Sequence, residues 1–120
     1  AKAGQTLACF HHNVLCRLAP YIRYIEEKIF SHLPKNYYIH SGKNFDELRG
    51  WVLENSFVGM CTESDYEAFD SSQDANILAF EVSLMRYLRL PRDLIEDYKY
   101  LKFNTRSKLG QFALMSFTGE

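Results

Sequence analysis

Residues 57–74 read FVGMCTESDYEAFDSSQD, and the fold turns on how this stretch is understood. Phe57 to Ser64 is short, apolar at most positions and followed by acidic and small polar residues, a pattern that predicts a buried strand. Asp65 then stands at the strand's end. Asp70 follows five residues on, in the turn, and Ser71 with Asp74 offers the start of a helix. A carboxylate at the end of a buried strand sits on rigid backbone and points into the cleft beside the sheet edge. Hard divalent cations such as Mg²⁺ take oxygen ligands, commonly one or two carboxylates together with waters and substrate phosphates. By spacing alone the metal signal is weak, because acidic residues between a strand and a helix are usually solvated or helix-capping.

On the C-terminal side of this stretch, Ile77, Leu78, Phe80, Val82, Leu84, Met85 and Leu88 spread apolar surface around much of a 74–88 helix, which predicts that it is well buried. Pro91 opens a further helix with Asp93, Glu96 and Asp97 early and Lys99 and Lys102 late, an order that complements the helix dipole. Arg106 to Thr118 alternates loosely around Gly110 and predicts a hairpin. On the N-terminal side, Leu7, Phe10, Val14 and Leu18 recur at helical spacing, predicting a helix that ends before Pro20. Pro20 suits the first turn of a second helix bearing Ile22, Ile25, Ile29 and Leu33 on one face. Tyr37 to His40 is short, aromatic and closed by Ser41-Gly42, so an extended segment is expected. Asn44 with Glu47 three residues later forms a capping-box pattern for a helix running to about Glu54. Helices, one central strand, two helices and a hairpin make an α+β fold.

The 120 residues fit one domain or part of one and can bury a modest core. Hydrophobic residues at 47% and aromatics at 15% give a globular composition rather than a disordered one. Lys+Arg is 14 against Asp+Glu 15, a net charge of −1, so there is no basic footprint of the sort a freestanding nucleic-acid binder carries. Cys9, Cys16 and Cys61 are too few and too scattered for a disulfide framework. No apolar run approaches the roughly eighteen residues of a membrane span. The chain begins AKAGQT and stops at SFTGE, both of which read as cut ends, so an excerpt of a longer protein is expected.

The run CTESDYEAFDSSQD resembles motif A of positive-strand RNA virus polymerases, in particular the replicases of flexible filamentous plant viruses of potexvirus and carlavirus type and their tymovirus relatives, in the alphavirus-like supergroup. The likeness extends along the chain in order. AKAGQTLACF resembles the segment upstream of motif A, YIHSGKNFDEL the stretch between, LMRYLRLPRDLIEDYKYLK the two helices after it, and SKLGQFALMSFTGE the approach to motif B. The resemblance implies a fragment of a right-hand polymerase. Residues 1–56 would be fingers-like helices, 57–74 the motif A strand and turn, and 75–120 palm helices and a hairpin leading into motif B.

It further implies template-directed nucleotidyl transfer. Asp65 matches the motif A aspartate that binds catalytic Mg²⁺ (or Mn²⁺ in its place), with the backbone carbonyl of Tyr66 as a further ligand. Asp70 matches the second motif A aspartate, near the ribose of the incoming nucleotide, which helps select ribo- over deoxyribonucleotides. Thr118 and Gly119 match the start of motif B, which handles template and nucleotide sugar, and Lys2 lies in the block whose basic residues contact the triphosphate. Ser116 stands where the family pattern usually has Arg. Motif C, with its Gly-Asp-Asp, would lie beyond residue 120. The implied partners are RNA template and primer, nucleoside triphosphates and the remaining replicase domains. The implied setting is the host cytoplasm, at a membrane-associated replication complex reached through other parts of the replicase. The chemistry is consistent with the residues: two Mg²⁺ ions about 3.5–4 Å apart activate the primer hydroxyl and stabilise pyrophosphate. One carboxylate cannot hold both.

Other readings compete. Cys9, His11, His12 and Cys16 suggest zinc, but on a helix they would fan around the axis, and packing with exposed histidines accounts for them better. A Cys-His nucleophile pair lacks an orienting third group. Tyr21, Tyr24, Tyr37 and Tyr38 suit base stacking, though core or helix-flank packing is the simpler account. Glu26-Glu27-Lys28 reads as a solvated face, and Met60 and Cys61 as core. The alternative to a polymerase fragment is a small helical interaction or scaffold domain whose acidic turn is incidental.

Overall fold

The computed structural model describes residues 9–67, 69–109 and 113–117. The chain divides into two compact units, one made of Ala1–Ile25 with Ala68–Glu120 and the other of Glu26–Glu67. Among the described residues four α-helices dominate: α1 His12–His32, α2 Phe45–Asn55, α3 Ala75–Tyr87 and α4 Arg92–Phe103. A short 3₁₀ turn occupies Phe69–Ser72. Strands β1 Thr105–Leu109 and β2 Ala113–Phe117 pair antiparallel, Thr105 opposite Phe117 and Leu109 opposite Ala113.

The α+β fold with a central palm strand, expected from the sequence, is overturned. Residues 57–66 contain no strand, and among the described residues none pairs with them. Val58 is 94% exposed and Met60 98%, and Cys61 is exposed as well, so the supposed core positions face solvent. Gly59 has φ +100°, a left-handed conformation that interrupts extended backbone. A short apolar run becomes a strand only when a neighbour satisfies its N–H and C=O groups and covers its side chains. Among the described residues no segment pairs with this run, and of its side chains Phe57 meets Trp51 while Val58 and Met60 stay exposed. The architecture of the described residues is helical, with β structure confined to the two-stranded ribbon.

A second correction concerns Pro20, which lies inside one continuous helix rather than at the start of another. Interior proline removes a backbone hydrogen bond and costs about 3 kcal/mol. What offsets this is the stripe of Leu18, Tyr21 and Ile25, spaced at three and four residues across Pro20, all packed on one core cluster. A helix broken at Pro20 would lose that shared face, whereas Pro20 itself is exposed.

That cluster is the core of the first unit: Leu78, Val82 and Met85 of α3, Leu90 of the connecting turn, and Leu94, Ile95 and Tyr98 of α4. Asp74 caps α3, its Oδ1 accepting the N–H groups of Asn76 and Ile77 at 3.0 Å each. The helix buries one face rather than most of its circumference, for Phe80 is 67% exposed. The α3–α4 turn is closed by two backbone bonds, Arg89 N–H to Arg86 O and Leu90 N–H to Met85 O, both 3.0 Å. They form a Schellman motif with Arg89 in the left-handed region at φ +60°. Tyr98 donates to Glu81 Oε2 at 2.7 Å, linking α4 to α3. Burial, with Glu81 alongside, pushes the Tyr98 phenol well above its ordinary range.

Arg17 of α1 reaches Asp93 Oδ2 at 3.0 Å and Asp97 Oδ2 at 3.2 Å on successive turns of α4. Hydrogen bonding to Arg17 holds the Asp93 carboxyl below the usual carboxylate range, and the same bonds raise Arg17. Tyr24 donates to Leu88 O at 3.2 Å. Tyr21 and Tyr24 are therefore packing and helix-flank residues.

In the second unit, the capping box at α2 is complete: Glu47 N–H donates to Asn44 Oδ1 at 2.9 Å and Asn44 N–H to Glu47 Oε2 at 2.8 Å. Ser56 ends the helix at φ 41°. Tyr37 to His40 forms no strand. Tyr38 instead joins a ring cluster, lying 5.1 Å from Trp51, with Trp51 5.4 Å from Phe57 between centroids. Lys43 Nζ lies 4.6 Å from the Phe30 ring and 4.7 Å from the Tyr38 ring, and the Trp51 indole donates to Lys35 O at 2.8 Å.

Candidate functional site

Asp65 lies in the irregular segment that follows α2, near the end of the second unit. It is exposed, as is Tyr66, at 73%. The carboxylate accepts the Tyr66 N–H through Oδ1 at 2.9 Å, which draws the side chain onto its own backbone. Oδ2 takes no part in that bond. Glu63 and Glu67 flank it two residues away on either side, so the stretch is locally anionic with no lysine or arginine between Ser56 and Glu67.

Asp70 belongs to the first unit, in the 3₁₀ turn. The turn is held at the Phe69 carbonyl, which accepts from Ser72 Oγ at 2.6 Å and from Gln73 Nε2 at 3.4 Å. Gln73 N–H closes the turn onto Asp70 O at 3.4 Å. The Asp70 carboxylate takes no part in these bonds and is exposed. A short turn of this kind fixes the backbone beneath a side chain while leaving its oxygens free for a polar ligand. Asp74, also in the acidic run, acts as the α3 cap.

Asp65 and Tyr66 are brought together by adjacency, and Asp70 is placed separately in the other unit. Lys2, Thr118 and Gly119 lie outside the described residues. The Ser116 backbone sits in β2 opposite Arg106. Among the described residues no three His, Cys, Asp or Glu side chains are grouped so as to hold a metal ion. His11 and His12 meet edge-on at 6.1 Å, and Cys9 and Cys16 are exposed thiols.

The donor types at Asp65 suit a hard cation, a carboxylate followed in the chain by the Tyr66 carbonyl, but they offer one anionic ligand. They fit part of a Mg²⁺ site and need carboxylates from elsewhere to complete one. Sequence reading did not pair Arg17 with Asp93 and Asp97, because residues 76 and 80 positions apart share no local pattern. It also passed over the arginines at 86, 89 and 92, for which the regular spacing was available as a signal.

Comparison with known proteins places these features in context. A family described as RNA dependent RNA polymerase matches residues 1–119. The chain is 65% identical over 120 residues to an RNA replication protein of Potato virus S (strain Peruvian), covering all of this chain and 34% of that protein. It is 66% identical over 120 residues to an RNA replication polyprotein of Apple stem pitting virus (isolate PA66), covering all of this chain and 6% of the polyprotein. A protein named RNA-directed RNA polymerase from Apple chlorotic leaf spot virus (isolate apple) is 49% identical over 120 residues, again covering all of this chain and 6% of that protein. The chain thus spans at most about a third of these relatives. No solved structure matches it. Among the described residues no helix is long and apolar enough to cross a membrane.

Proposed function

Since the chain belongs to the RNA-dependent RNA polymerase family, we propose that it is a segment of a plant-virus replicase and contributes to template-directed nucleotidyl transfer during viral RNA replication. What carries the reading is a match over residues 1–119 that includes an exposed aspartate at position 65. In this reading Asp65 supplies one carboxylate to the metal site and the Tyr66 carbonyl a neutral oxygen beside it. Mg²⁺, or Mn²⁺ in its place, supplies positive charge to the reacting phosphate and lowers the pKa of the attacking hydroxyl when bound. The remaining carboxylates come from replicase segments other than this one.

Asp70 has a different part. A carboxylate accepts hydrogen bonds only, and a ribose 2′-hydroxyl donates one that deoxyribose lacks. Held on the turn closed by Ser72 and Gln73, Asp70 favours ribonucleotides by that bond or by the network built on it. Thr118 and Gly119 handle the template and the nucleotide sugar, and Lys2 neutralises part of the triphosphate charge. The partners are RNA template and primer, nucleoside triphosphates and the other replicase domains. The setting is the host cytoplasm, at a membrane-associated replication complex held there by those domains.

The test is a primer-extension assay on the replicase that carries this segment, with Mg²⁺ and all four ribonucleotides. Asp65→Ala is expected to abolish synthesis while leaving the circular dichroism of the protein unchanged, because an exposed side chain contributes little to packing. A well-folded Asp65→Ala protein that extends primers at the wild-type rate removes Asp65 from the reaction.

A further inference from the structure

Arg86, Arg89 and Arg92 stand three residues apart in the sequence MRYLRLPR, on the end of α3, the connecting turn and the start of α4. Arg86 and Arg92 line a concavity of about 380 Å³ together with Leu90, Ile95 and Glu96. All three arginines are exposed, and among the described residues none of them forms an ion pair. The acids nearby are already engaged: Asp93 and Asp97 by Arg17, and Glu96 by Lys99 at 3.5 Å. The face therefore carries uncompensated positive charge on a chain whose net charge is −1.

Arg89 is the informative member. It occupies the left-handed position of the Schellman motif, φ +60°, where glycine is the usual residue because a Cβ is disfavoured there. The apolar half of the motif is supplied by Leu90 and Met85, both in the core, and owes nothing to the arginine side chain. A side chain kept at a position where its absence would relieve the backbone points to work done by that side chain.

We propose that Arg86, Arg89 and Arg92 bind the phosphodiester backbone of single-stranded RNA at the α3–α4 turn, an inference that rests on the polymerase reading above. A planar guanidinium fork matches phosphate oxygens in pairs, which an ammonium does not. Such contacts carry no sequence information and fix the position of the strand. Leu90 and Ile95, both buried, make the floor of the concavity rigid beneath the arginines.

The experiment measures binding of a uridine oligoribonucleotide to the replicase carrying this segment, by filter retention across a salt series. Replacing all three arginines with glutamine is expected to flatten the slope of log affinity against log salt by about 2, three lost contacts at ~0.7 each for single strands. Arg89→Gly separates function from folding: melting temperature should rise while RNA affinity falls. Arg89→Lys, keeping charge without the fork, should fall between wild type and Arg89→Gly in affinity. An unchanged slope and affinity in the triple variant overturns the proposal, as does an Arg89→Gly protein that is more stable and binds RNA as wild type does. Asp65→Ala is the control for the reading beneath it. Loss of synthesis with RNA binding intact supports the polymerase role whatever the arginine variants show, and retained synthesis undermines that role without affecting the binding result.

Discussion

Truncating Leu94 to alanine should unfold or nearly unfold the first unit, whereas truncating Val58 should leave stability almost untouched. Leu94 is 1% exposed, between Leu78, Val82 and Met85 of α3 and its own neighbours on α4. Leucine to alanine removes three carbon atoms' worth of buried surface, or about 2.4 kcal/mol at ~0.8 per methylene. A residual cavity adds to that, since the surrounding helices relax only in part, giving a total of about 3–4 kcal/mol. For a unit of this size each kilocalorie moves the melting temperature by about 4–8 °C, so a fall of about 12 °C or more is expected. Val58 is 94% exposed, and its loss should stay within about 0.5 kcal/mol. Urea titration followed by far-ultraviolet circular dichroism measures both. Equal losses in the two variants, or a Leu94→Ala protein within about 0.5 kcal/mol of wild type, would refute the placement of the core and restore the case for a packed segment at 57–64.

Three further outcomes are expected. Asp70→Asn in the intact polymerase should alter the ratio of ribo- to deoxyribonucleotide incorporation. An unchanged ratio together with a collapse in Mg²⁺ affinity would mean that Asp70 is a metal ligand instead. Asn44→Ala removes one bond of the capping box directly and strands the other, so the second unit should lose about 1 kcal/mol in a denaturant titration, while Asn44→Gly should lose only a few tenths. Because Arg17 lowers the Asp93 pKa on folding, its contribution is present above the unfolded value of 3.8 and disappears as pH falls through the lower folded value. The urea midpoint of wild type should therefore drop more steeply in acid than that of Arg17→Gln, and parallel curves would show that the pair adds nothing.

The features that could be read from sequence are those in which a residue's partner lies within one helical turn. Asn44 and Glu47 bond across three positions, so that cap was legible, and the start of α3 was legible to within a turn, Ser71 with Asp74 being expected there and Asp74 by itself capping the N–H groups two and three residues on. The placement of α2 and α3 follows from such caps and from apolar spacing, whereas α4, which has no side-chain cap bond, was placed by Pro91 at its start. The resemblance around Asp65 likewise needed only order along the chain, and the family match over residues 1–119 agrees with it.

Tertiary structure decided the rest. Phe57 to Ser64 has the composition of a buried strand, yet a strand exists only where another chain segment completes its hydrogen bonds, and no alternation of residue types states whether that segment is present. Pro20 is a helix breaker by local rule, but Leu18, Tyr21 and Ile25 meet a common core from both sides of it, and packing outweighs the lost bond. The pairing of Arg17 with Asp93 and Asp97 joins parts of the chain far apart in sequence, as does the burial that singles out Leu94 and Tyr98. Local bonds are fixed by neighbours that the sequence places at known distances. Burial and long-range pairing depend on which surfaces meet, and only the folded chain brings those surfaces together.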